Sequence, residues 1–259
     1  MTDENKCWIF GDEAGQIGAD RFFAIGIIGT RDPKELIAKI KEIREKTNYY
    51  GEVSYKSSDK RRALCSIRLM DWFFSGQKIA HFKILIKDRD GSGHFNVRYF
   101  NENKYGTGAS QLAYCQSYRE VLCNFAGYAN DNKYLVYSQI GLAKMKVEDY
   151  LEGKVAGLSK NNCFERHSKE KKKDGTAYTG TAEILQLCDL LTSSTRGLAC
   201  SFSGEENTED WVKNMLRKNI HYHVSNIKDR FLAGQHVYFP SHSPFHTQTF
   251  AVFNWKSRS

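Results

Sequence analysis

No two of the seven cysteines stand as Cys-x-x-Cys, and their number is odd. A disulfide framework and a cysteine zinc cluster are thereby set aside: Cys7, Cys65, Cys115, Cys123, Cys163, Cys188 and Cys200 read as reduced thiols, several on apolar faces. No stretch reaches the roughly 18 apolar residues that a bilayer-spanning helix needs, so no membrane partner is expected. The opening residues Met1 to Lys6 are charged and lack the apolar run of a secretion signal, which makes cytoplasmic the expected location. Internal repeats are absent too, and with them solenoids and propellers. What remains is a chain of 259 residues, 41% hydrophobic, enough for one α/β domain with elaborations. Lys and Arg outnumber Asp and Glu by 38 to 30, a net charge of +8. Counterion release favours such a surface binding polyanions, so nucleic acid leads the partner classes.

Two short apolar runs, Cys7 to Phe10 and Phe22 to Ile28, end on Gly11 and Gly29 and predict a β-hairpin. Asp32-Pro33-Lys34-Glu35 offers a cap, a proline at the first helical position and an acid at the third. Leu36, Ile37, Ile40 and Ile43 follow at helical spacing, predicting a helix over 33–47. Glu52 to Lys56 reads as a short strand, with Ser57 or Ser58 capping the next helix through Phe74. Ala80, Phe82, Ile84 and Ile86 then alternate with His81, Lys83, Leu85 and Lys87, the pattern of a largely buried strand ending at Asp88. Helices over about 110–129 and 182–198 flank a strand at 134–137, 144–158 is weakly helical, and the tail carries a short helix near 211–216. Strands alternating with helices after a hairpin predict a mixed sheet with helices on both faces.

Gly11-Asp12-Glu13-Ala14-Gly15 sets two carboxylates at the carboxyl end of the first strand, where open α/β sheets place ligands. Taken alone, this reads equally well as an acidic turn. Asp88 ends a second apolar strand, and the two acids would converge if those strands were neighbours. Asp189 lies opposite the stripe Ile184, Leu187, Leu191, Leu198, but Leu185 and Leu190 flank it, so the acid is expected to be enclosed. Converging carboxylates repel one another unless a hard divalent cation sits among them, which points to Mg²⁺ or Mn²⁺. Two such ions about 4 Å apart can activate water and stabilise the leaving oxygen in phosphodiester hydrolysis. In an extended segment Glu52 and Lys56 would project from one face, adding a fourth acid and a cation that positions water or balances charge.

These residues resemble the bacterial family catalogued as domain of unknown function thirty-eight hundred. Its pattern is Asp-Glu-Ser-Gly, then Glu and Lys, then Leu-Gln-Leu-Ala-Asp-Leu. Here it reads Asp12-Glu13-Ala14-Gly15, Glu52 with Lys56, and Leu185-Gln186-Leu187-Cys188-Asp189-Leu190, over residues 7 to 200. The resemblance implies an RNase H-like domain over 1–200, with 201–259 a C-terminal extension packed on it, and a divalent-metal nuclease of bacterial defence or mobile-element biology. It implies Asp12, Glu13, Glu52, Lys56 and Asp189 as catalytic residues; Asp12, Glu52 and Asp189, joined by Asp88, make up the expected metal ligands. Ala14 and Cys188 replace a small residue each, and Ser138-Gln139 stands where relatives often carry an acid. The loop 169–179 is longer than usual and suits a substrate arm.

Lys169, Lys171, Lys172, Lys173 and Arg196 are candidate nucleic-acid contacts, although Glu170 and Asp174 interrupt the basic run as they would in a solvated loop. Asp88-Arg89-Asp90-Gly91-Ser92-Gly93 resembles half a calcium loop, but its twelfth position is Tyr99, so a tight turn is the better reading. His221, His223, His236, His242 and His246 show no metal-ligand spacing and read as surface or interface residues. Two alternatives stay open. One is a restriction-endonuclease-like site of Asp12, Glu52 and Lys56, for which Asp189 is dispensable. The other is a non-catalytic module on an RNase H-like fold that binds nucleic acid or a partner protein, or assembles as a homo-oligomer.

Overall fold

The computed structural model describes residues 6–16, 20–55, 59–75, 77, 79–88, 109–123, 132–137, 147–158, 164–166, 180–202, 204, 210–223, 237–239 and 250–255. In chain order the elements are β1 (Lys6–Ala14), β2 (Phe22–Thr30), α1 (Pro33–Thr47), α2 (Lys60–Phe74), β3 (Ala80–Asp88), α3 (Ala109–Cys123), β4 (Asn132–Tyr137), α4 (Val147–Leu151), β5 (Phe164–Arg166), α5 (Gly180–Phe202), α6 (Trp211–His223), β6 (Val237–Phe239) and β7 (Phe250–Trp255). The strands form one seven-stranded mixed sheet in the order β5-β4-β1-β2-β3-β7-β6. β1, β2 and β3 are an antiparallel meander; β4 adds parallel to the free side of β1, β5 parallel to β4, and β7 parallel to β3.

Alternation along the strands divides the core in two. Phe10, Ala14, Ala24, Ile28, Phe82, Ile84 and Ile86 pack with α1, α2, α5 and α6 on one face. Cys7, Ile9, Phe23, Ile25, Ile27 and Leu85 pack with α3 and α4 on the other. The first helix follows its capping signals: Asp32 Oδ1 accepts the Glu35 N–H at 2.9 Å, Pro33 opens the helix, and Asn48 closes it in the left-handed region at φ 49°. The second is capped not by a serine but by Asp59, whose Oδ1 accepts the Arg61 N–H at 2.8 Å.

Two expectations are corrected. Residues 52–55 are irregular, not a strand, because their backbone is tied sideways to buried side chains: Gly51 O accepts from Arg44 and the Val53 N–H donates to Gln186 Oε1 at 2.9 Å. Glu52 therefore lies outside the strand alternation that was expected to set it on one face with Lys56. The second correction concerns strand order, since β2 lies between β1 and β3. Asp12 is level with Gly26 and, across it, with Ile84, whereas Asp88 is four residues further along. At about 4.8 Å per strand and 3.3 Å per residue, the Asp12 and Asp88 Cα positions are roughly 16 Å apart, too far to share an ion.

Among the described residues no helix is long and apolar enough to cross a membrane. The long α5 is apolar on nearly every side because it runs through the middle of the helical layer, packing on β1 and β2 beneath and on α1 and α6 beside it. The tail completes the same sheet through β6 and β7 and the same helical layer through α6.

Candidate functional site

Asp12 lies on β1, an interior strand of the sheet between β4 and β2, and is fully buried. Alternation places it with Phe10 and Ala14, on the face that α5 covers. Helix α5 touches the sheet backbone at the same level. Cys188 Sγ lies 3.3 Å from Phe10 O and 3.4 Å from Gly26 O, and Gly26 is the residue paired with Asp12. One turn later, Thr192 Oγ1 occupies the space that a Cβ at Gly26 would fill. Only a residue without a side chain lets the helix settle here. The turn of α5 over Asp12 thus runs from Cys188 to Thr192 and includes Asp189.

Asp189 is 9% exposed, far from the solvated position an isolated helix would give it. Ser193 Oγ, one turn on, donates to its Oδ1 at 3.0 Å and fixes the rotamer. Gln186, Thr192, Ser194 and Thr195 of the same helix are buried as well, spread around its axis and not gathered on one side.

Glu13 points to the opposite face, where Tyr114 of α3 donates to its Oε2 at 3.3 Å. Burial raises the Tyr114 hydroxyl well above its ordinary range, helped by the neighbouring Tyr118 and by the charge of Glu13. Tyr118 rises likewise, from burial first and then from Glu13 and Asp12. Both phenols stay protonated, as a carboxylate neighbour requires. Glu13 does not share the face of Asp12, so it is a partner of α3 and not a second ligand at Asp12.

Glu52 is tied to the helical layer through its backbone: its carbonyl accepts from Tyr49 Oη at 2.8 Å. Sequence reasoning missed what holds this loop. Arg44 is buried, with Nε 2.6 Å from Glu183 Oε2, Nη2 2.7 Å from Gln186 Oε1, and Nη1 2.7 Å from Gly51 O and 3.4 Å from Tyr49 O. The signal available was Gln186 itself, an amide on an apolar helix that burial obliges to find partners. Arg196, expected on nucleic acid, clasps the first hairpin instead. Its Nε donates to Phe22 O at 2.7 Å and its Nη2 lies 3.1 Å from Asp20 Oδ2. The arginine also crowds Gly15, where φ is +84° and a Cβ would come within 2.6 Å of Arg196 Nε. Lys56, Ser138, the lysines 169 and 171–173, His236, His242 and His246 lie outside the described residues, as does the half calcium loop beyond Asp88.

Among the described residues no three His, Cys, Asp or Glu side chains gather in a metal-holding group. Asp12 and Asp189 nonetheless offer the hard carboxylate oxygens that Mg²⁺ or Mn²⁺ prefers, and the enclosed setting of Asp12 is one in which a cation offsets a buried charge.

Fold and site together define a mixed α/β sheet protein with an acid buried on an interior strand and a second acid on the helix laid across it. No family model matches the chain, and no curated protein matches it either. Among solved structures it is similar to a chain of the PCNA:RNase HII complex from Archaeoglobus fulgidus, at 12% identity and a TM-score of 0.43, covering 98% of this chain and 96% of that one.

Proposed function

We propose that the protein is a metal-dependent nuclease on an RNase H-like fold, hydrolysing nucleic-acid phosphodiesters at Asp12 and Asp189. The observation that carries this reading is the seating of the α5 turn 188–192 over the strand level of Asp12, with Gly26 vacated for Thr192. A β1-β2-β3 meander with parallel β4 and β5 beside β1 supports the RNase H-like reading. So does the resemblance to domain of unknown function thirty-eight hundred, whose acids fall on these two positions.

When bound, Mg²⁺ or Mn²⁺ would supply positive charge to the phosphate and a water of lowered pKa. Asp12 would hold it from the rigid sheet, and Asp189 from the helix, with Ser193 keeping the Asp189 carboxylate in place. The burial of both acids keeps bulk water from them, strengthening charge interactions there. Two-ion chemistry, Glu52 and Lys56 as further site residues, the lysines 169 and 171–173 as phosphate contacts, and a cytoplasmic setting belong to the same proposal.

The test is cleavage of labelled RNA, DNA and hybrid strands with Mg²⁺ or Mn²⁺. Asp12→Asn should lower the rate at least ~10²-fold while leaving the circular dichroism unchanged. Undiminished cleavage by that variant contradicts the assignment; metal binding without cleavage by the unaltered chain favours the non-catalytic module.

A further inference from the structure

Helix α6 contains no acidic residue but carries Lys213, Arg217, Lys218, His221 and His223. Asp210 precedes it as a cap, accepting the Val212 and Lys213 N–H groups at 3.1 and 3.2 Å. Val212, Leu216, Arg217 and Ile220 are buried against α2 and α5. At 100° per residue, Trp211, Met215, Lys218 and Tyr222 fall within a stripe about 60° wide on the side away from that buried arc. The two rings on this stripe are open to solvent, Trp211 at 51% and Tyr222 at 81%. Lys218 is exposed on the stripe between them, and His221 is exposed to one side of it. Eleven residues at about 1.5 Å each separate the rings by roughly 16 Å, a span of several nucleotides.

We infer that this face of α6 is a stacking platform for single-stranded nucleic acid. Two exposed rings with a cation between them match bases that stack and a phosphate that passes over the ammonium. A duplex keeps its base faces covered and could not use the rings. A membrane surface would want a continuous apolar band, which Lys218 interrupts. The ligand class deepens the nuclease reading and rests on it for relevance. Because α6 packs on α5, a strand held here is tethered to the layer that carries Asp189.

The experiment is fluorescence anisotropy of a labelled twenty-nucleotide single strand, as DNA and as RNA, and of the matching duplex, using the full chain in EDTA. Trp211→Ala with Tyr222→Ala should weaken single-strand binding about a hundredfold, about tenfold for each ring. Trp211→Phe with Tyr222→Phe should retain it within a few-fold, and Lys218→Glu should weaken it further at low salt than at high salt. Unchanged binding by the double alanine variant overturns the inference, as does equal preference for duplex, or a loss seen only with phosphatidylglycerol vesicles sedimented in parallel. Failure of the nuclease reading shows separately, as Mn²⁺-supported cleavage that survives Asp12→Asn.

Discussion

Asp12 and Lys83 are both buried charged residues in the same sheet, but they face opposite sides of it. Burial lowers the Lys83 ammonium from 10.5 to about 8, since the charged form is the one penalised. Its folded pKa lies below the unfolded one, so the penalty is complete below pH 8 and fades as pH rises toward 10.5. Lys83→Met should therefore stabilise the protein at pH 7, by up to about 3 kcal/mol, and the gain should shrink at pH 10. Thermal melts of the pair at both pH values check it, and a gain independent of pH would mean the lysine is not the cause. At this scale the sequence was readable where periodicity speaks. Asp189 was expected to be enclosed because leucines stand on both its flanks, and it is. Strand alternation alone turns Glu13 away from Asp12, but its attachment to Tyr114, a hundred and one residues away, has no local signature.

Helices and strands announce themselves by period and caps, and α1, β3 and β4 fall close to where the pattern put them. The segment 49–55 does not, since its shape comes from Arg44 and Gln186 and not from its own residues. The Arg44, Glu183 and Gln186 cluster ties α1, α5 and this loop together in the buried layer, and it is expected to behave as a unit. Arg44→Met leaves Glu183 buried without its cation and should cost about 3–5 kcal/mol in urea unfolding, whereas adding Glu183→Leu should recover much of that. A double variant as unstable as the single one would show that packing, not charge, is what the cluster supplies. Asp88 failed at this same scale. Both strands were correctly read as strands, but no local pattern tells which strands are neighbours, and β2 separates them.

For the whole molecule, the mixed α/β architecture was legible and its edge was not. β7 pairs in parallel with β3 across more than a hundred and sixty residues, a contact that no short window of sequence contains. The overall charge of +8 makes attraction to polyanions expected but does not choose among them. The choice rests on the central pair of acids, one on the sheet and one on the helix lying over it. Calorimetric titration of Mn²⁺ into the full chain, into Asp12→Asn and into Asp189→Asn is the most direct measurement of that claim. Saturable binding by the unaltered chain that is lost or weakened at least ~10-fold in both variants is the predicted result. Binding that persists undiminished in either variant, or none at millimolar Mn²⁺ in the unaltered chain, would contradict it.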